Sequence, residues 1–230
     1  MFRWDGPPLP APRVRTLEEI RSVLRDPACE CGEPLYFMYR DLSKSPGDRV
    51  WLRGQGLRYD VTVIPARTLC GEFVKTKGHH HPVNGKGVPY PEIYEVLQGE
   101  AHYLLQTRSA DDVVLVQAAP RDRVLVPPGY GHVTINPGEE TLVMANIVST
   151  RFESDYSVYE RMGGAAYFEL AGGALERNPR YPGAAGVRIL EASGQKGMAL
   201  LPARPLYDLI GTESLGFLNR PEDYPGLFSR

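Results

Sequence analysis

The chain has 230 residues, 42% hydrophobic and 23% charged, with a formal net charge of -2. That size and balance suit one globular domain with extensions, and the lack of any long run of like charge speaks against a nucleic-acid or membrane-surface partner. No apolar stretch reaches about 18 residues and the N-terminus has no apolar signal-peptide core, so no membrane span is expected and a cytoplasmic protein is. The three cysteines, Cys29, Cys31 and Cys70, are an odd number with no framework spacing and read as free thiols. The Cys29-x-Cys31 pair has no second pair to complete a metal site.

Residues 1–15 are rich in proline and read as irregular. "TLEEIRSVLRD" reads as a short helix. Thr16 and Glu19 form a capping-box pair, and Leu17, Ile20, Val23 and Leu24 share one face. Residues 29–34 read as a turn. Short runs rich in Val, Ile, Leu, Tyr and Thr then follow: "LYFMYRDL", "RVWLRG", "LRYDVTVIP", "GEFVKTKGHHH", "EIYEVLQGEAHYLLQTR", "DVVLVQAAP", "RVLVPPG", "HVTINPG" and "TLVMANIVST". Gly, Pro, Asp and Asn separate them, with no helix expected between, which predicts an all-β antiparallel sandwich or barrel. "SDYSVYERMGGAAYFEL" suits a strand or a short helix leading out of it. The organisation expected is an N-terminal arm over 1–33, a barrel over 34–170, and an extension over 171–230 that packs on the barrel or on a partner subunit.

All five histidines, at 79, 80, 81, 102 and 132, fall in the middle of the chain. His79 and His81 are two apart. On a strand that puts both on one face with Cα atoms roughly 6.5 Å apart, so both imidazoles can meet one ion. His80 then points the other way and, like His102, is expected to be solvent-exposed or satisfied in the core, a bystander facing outward. A carboxylate from the next strand, Glu92 or Glu95, and His132 after the turn "VPPGYG" would complete three imidazoles and one carboxylate. Such a set suits Fe(II), Mn(II), Ni(II), Co(II) or Zn(II).

Two motifs carry a resemblance. "PPGYGHVTIN" contains Pro127, Gly129, His132 and Asn136, and "EIYEVLQG" runs from Glu92 to Gly99. Both resemble the two cupin motifs, and the second selects Glu92 over Glu95. Ten residues rather than three or four separate His81 from Glu92, and Arg121 stands where the pattern has glycine. "TKGHHH", "EIYEV" and the later "DY" resemble the cupin-type phosphoglucose isomerases over roughly residues 34 to 160.

The resemblance implies a double-stranded β-helix (jelly-roll) cupin barrel, usually a homodimer, that interconverts glucose 6-phosphate and fructose 6-phosphate. It implies one divalent transition metal per subunit, iron foremost, held by His79, His81, Glu92 and His132. Glu92 is implied as the base and Tyr94 as a substrate contact. Tyr36, Thr62, Thr76, Gly78 and Tyr156 are implied around the sugar phosphate. Ser154 stands where some members have histidine; Lys86 of the inserted loop is a candidate for the missing charge, and Lys77 is expected to point away. The barrel and ligands alone fit equally a dioxygenase or epimerase of the same architecture, or a sugar-binding cupin without turnover.

Overall fold

The computed structural model describes residues 3–228. In chain order the elements are β1 (Arg13–Arg15), α1 (Leu17–Ile20), β2 (Tyr36–Leu42), α2 (Pro46–Gln55), β3 (Leu57–Ile64), β4 (Thr68–Leu69), β5 (Glu72–Phe73), β6 (Glu92–Gln98), β7 (Ala101–Thr107) and β8 (Val113–Ala118). They continue with β9 (Arg123–Val126), β10 (Tyr130–Ile135), β11 (Leu142–Ser149), α3 (Ser157–Arg161), β12 (Tyr167–Glu169), β13 (Leu175–Arg177) and β14 (Val187–Glu191). A six-stranded sheet of order β1-β2-β3-β11-β6-β9 faces a four-stranded sheet of order β10-β7-β8-β14. The chain crosses between the sheets after β6, β8, β9 and β10, which makes the jelly-roll barrel of a cupin. No helix among the described residues is long and apolar enough to cross a membrane.

The six-stranded sheet is buried on both faces. Along β11, Met144 and Asn146 point inward, while Val143, Ala145 and Ile147 join a second apolar cluster on the outer face. This explains why that strand reads as a nearly unbroken apolar run rather than an alternation. The outer cluster is closed by the C-terminal extension, whose short 3-10 turns bury Leu206, Leu209, Phe217 and Leu218 completely. Each such side chain contributes roughly 1.5–3 kcal/mol by leaving water. The extension therefore packs on its own barrel, and it also supplies β14, which pairs in parallel with β8. Within the expected arm, β1 adds to the sheet edge beside β2, with Arg15 opposite Tyr36.

Three expectations about the elements and the cysteines need correction. "RVWLRG" is not a strand: it lies in helix α2. The deciding signals flank it. The Asp48 amide donates to Ser45 Oγ at 3.1 Å and the Ser45 amide to Asp48 Oδ2 at 3.0 Å, Pro46 opens the first turn, and Gly56 ends the helix at φ 66°. Next, "GEFVKTKGHHH" forms a strand only at Glu72–Phe73; the rest runs extended beside β10 through single pairings such as His79 with His132. Gly78 interrupts the ladder at φ 71°, where a Cβ would come within 2.6 Å of Val133 Cγ2, so only glycine fits.

Finally, the cysteines are not all free. Cys29 and Cys70 form a disulfide, and only Cys31 remains a thiol. The turn after β4 brings Cys70 onto the loop that follows α1, a contact across 41 residues that cysteine spacing does not disclose. In a chain-entropy view, closing a loop of that length contributes about 4 kcal/mol.

Candidate metal centre

Between the two sheets lies a cavity of about 570 Å³. One side of it carries His79, His81, Glu92 and His132, whose ligand atoms all lie within 4.8 Å of one another. His79 and His81 come from the extended segment, His132 from its neighbour β10, and Glu92 from β6 of the opposite sheet. The ten residues between His81 and Glu92 make a hairpin of their own. Val83 pairs with Pro89, and Asn84 Oδ1 accepts from the Lys86 and Val88 amides. The hairpin returns Tyr90 to His81, whose Nδ1 donates to the Tyr90 carbonyl at 2.9 Å.

That bond decides the chemistry. In the neutral form with its proton on Nδ1, His81 would present a bare Nε2 to the cluster, 3.2 Å from His79 Nε2 and 3.3 Å from Glu92 Oε2. Glu92 Oε2 is also 3.3 Å from His132 Nε2 and is buried with no hydrogen-bond donor. Three imidazole nitrogens and a carboxylate oxygen gathered this closely in a buried site suit a cation between them, so the residues fit a divalent metal. Burial first, and then the neighbouring imidazoles, push the His79 imidazole well below its usual range, and burial takes His132 to about 4. Both are neutral near pH 7, the state in which imidazole binds metal.

Each sequence-derived candidate has a place. Tyr94 lies two residues from Glu92 on the same face, and its hydroxyl is 2.9 Å from His132 Nε2. Tyr36, Thr62, Thr76, Gly78 and Tyr156 all line the cavity, as does Ser154. The Tyr36 hydroxyl accepts from the Lys77 amide at 3.2 Å, the Thr76 hydroxyl accepts from the Thr134 amide at 2.9 Å, and the Tyr156 ring lies 5.3 Å from that of His79. Glu95 faces the outer side and accepts from the Leu206 amide at 2.8 Å. Lys86 is exposed on the hairpin and is not part of the cavity wall.

Lys77 does not point away. The kink at Gly78 breaks the alternation, so Lys77 also reaches the cavity, pairs with Glu160 at 2.6 Å and lies over the Tyr156 ring. His80 does turn from the cluster, but into the protein rather than to solvent. It is 1% exposed, its ring lies 5.2 Å from that of Tyr159, and it fills the space that a side chain at Gly131 would need. The pairing of His80 with Asp155, amide to carbonyl in both directions, covers it.

Several cavity residues carried no signal in the sequence. Arg15 is 7% exposed, bonds Glu19 through Nη1 at 3.1 Å, and keeps a buried Nε without a partner. Arg40 bonds the fully buried Asp60, which Arg58 also bonds at 2.8 Å. Asn146 reaches Glu92 from β11. Arginines are ordinary on a surface, and only the strand order β1-β2-β3-β11-β6 turns these toward one cavity.

The barrel and its inward-facing histidines and glutamate define a cupin able to hold a metal ion. The family model described as glucose-6-phosphate isomerase (GPI) matches residues 14–182, and the chain belongs to that family. A glucose-6-phosphate isomerase of Thermococcus litoralis is 29% identical over 157 residues, covering 65% of this chain and 76% of the relative. That of Thermococcus gammatolerans is 31% identical over 127 residues, covering 54% and 65%. The aligned part of the Pyrococcus abyssi enzyme is 54% of its length. Among solved structures, Lactobacillus farciminis oxalate decarboxylase is similar at a TM-score of 0.40 and 20% identity, covering 55% of this chain and 32% of its own; a likeness of that degree carries no argument about function.

Proposed function

We propose that the protein is a metal-dependent aldose-ketose isomerase that interconverts glucose 6-phosphate and fructose 6-phosphate. The observation that carries this reading is one cavity lined both by the His₃Glu cluster and by basic, hydroxyl and glycine residues suited to an anion. Iron is the ion expected, with Mn, Ni, Co and Zn as substitutes. A homodimer and a cytoplasmic location belong to the same proposal.

His79, His81, Glu92 and His132 would hold the ion. When bound, it supplies Lewis-acid polarisation of the substrate's carbonyl and hydroxyl oxygens. The chain's own groups do the rest. Glu92 takes the proton from C2 of the aldose and returns it at C1, while the proton of the C2 hydroxyl passes to O1 as the carbonyl moves from C1 to C2. The Tyr94 hydroxyl, beside His132, is placed to donate to a substrate oxygen at the same end.

The phosphate is assigned to Arg15, Lys77, Tyr36, Thr62, Thr76, Gly78 and Tyr156, which line the same cavity. The unpartnered Nε of Arg15 is a donor held in reserve for an anion, and charge-assisted bonds of this kind are strong. Arg15→Met is expected to raise KM for fructose 6-phosphate about tenfold or more and to leave kcat within about threefold, since the lost contact is made equally in ground and transition states. Steady-state kinetics reads this; an unchanged KM would move the phosphate away from Arg15.

The decisive assay loads the protein with each of the five metals, supplies fructose 6-phosphate and measures glucose 6-phosphate formed. No turnover with any of them overturns the isomerase reading. Tight binding of the sugar phosphate without turnover would instead favour a sugar-binding cupin.

A further inference from the structure

Glu92 has two oxygens in different surroundings. Oε2 has no donor and faces His81 and His132, whereas Oε1 accepts from Asn146 Nδ2 at 2.6 Å. Asn146 is 2% exposed, lines the cavity, and stands directly across from Tyr94 on the next strand. An amide that meets a carboxylate must present its NH₂, because its oxygen would be an acceptor against an acceptor. The placement is unusual for its strand. β11 is buried along its whole length, and its other inward residues before Ser149 are apolar. A polar side chain there is costly unless it is bonded, and its bond is to Glu92.

The geometry points to Asn146 as the positioning residue that makes Glu92 a one-oxygen ligand: its amide holds Oε1 aside and turns Oε2 alone toward the metal. The inference rests on reading the cluster as a metal site. The terminal torsion of a glutamate is soft and two-fold, so the carboxylate needs an external hold to keep its oxygens distinct. Among the described residues, Asn146 supplies that hold. It acts through Glu92 and keeps Oε1 out of the ion's reach, where a proton can be accepted. Released from Asn146, the carboxylate can rotate and offer both oxygens to the metal. That raises the coordination number and occupies the oxygen that serves as base.

The test uses the full-length protein loaded with Co(II), whose visible absorption per bound ion weakens as coordination number rises. Asn146→Leu removes the donor at nearly constant size. Asn146→Val does so with a side chain well suited to a strand, and decides the matter should the leucine variant not fold. Both are expected to bind one cobalt per chain with a weaker visible band, and to lose kcat about tenfold or more with KM within about threefold. A merely structural role would lower the folded fraction and leave the band per bound cobalt unchanged. An unchanged band together with kcat within about twofold overturns the inference. The spectrum is taken without substrate. A wild type that binds cobalt but does not turn over sugar phosphate therefore fails the isomerase reading and leaves this test intact.

Discussion

Alanine in place of His132 is expected to abolish stable metal binding and to lower kcat/KM by about a thousandfold or more, because losing a direct ligand exceeds the 10–100-fold typical of outer-shell losses. His132 contributes one of three imidazoles, and its Nε2 contacts both Glu92 and Tyr94. Its removal leaves Oε2 of Glu92 facing a gap and frees the Tyr94 hydroxyl. His80→Ala is the control. It removes a ring packed on Tyr159 and Gly131, with neither nitrogen bonded. The expected cost is stability alone, about 1–3 kcal/mol from lost packing, with metal content intact. Metal analysis of the purified variants and their melting temperatures read the two effects separately. Equal metal loss in both variants would mean that the assignment of faces is wrong and that His80 also faces the ion.

The second large effect is expected for Glu92→Gln, with kcat reduced by about a thousandfold, within the range general-base removal produces. The substitution keeps the shape of the side chain and reverses part of its chemistry. Asn146 Nδ2 still needs an acceptor, so the glutamine carbonyl takes the place of Oε1. Its NH₂ must then stand where Oε2 stood, 3.3 Å from His81 Nε2 and His132 Nε2. A donor pointed at the ion's position weakens metal binding as well as removing the base, so metal affinity falls together with kcat. Glu95→Gln provides the contrast. Glu95 lies on the outer face, holds the Leu206 amide and has no contact with the cluster, so activity within about threefold of the parent is expected. Steady-state kinetics of the pair discriminates the two glutamates, and a fully active Glu92→Gln would remove Glu92 from the role of base.

Local pattern carried much of this. The i, i+2 spacing of His79 and His81, and of Glu92 and Tyr94, puts each pair on one side of an extended segment whatever the rest of the chain does. The same local reasoning failed where one residue changed the backbone. Gly78 breaks the alternation, and Lys77 joins the cavity that its position seemed to deny it. It failed again at "RVWLRG", where β-rich composition outweighed the Ser45, Pro46, Asp48 and Gly56 signals that were in plain view on either side.

His80 shows a different gap. Alternation sends it away from the ion, but a face turned from one site is not thereby turned to water, and whether α3 and Tyr159 cover it is a matter of packing. The long step from His81 to Glu92 fitted the motif worst and proves to have a use: the hairpin it forms delivers the Tyr90 carbonyl that sets the His81 tautomer.

By itself, then, the order of residues determined the strand-rich class, the two histidines that share a face and the carboxylate-tyrosine pair. All of these depend on neighbours within a few positions. Only the tertiary structure decided that Arg15, Arg40 and Asn146 meet at one cavity, that Cys29 joins Cys70, and that the C-terminal extension covers its own barrel. Those contacts join residues tens to more than a hundred positions apart. No local periodicity encodes them, because they follow from which strands the sheet places side by side.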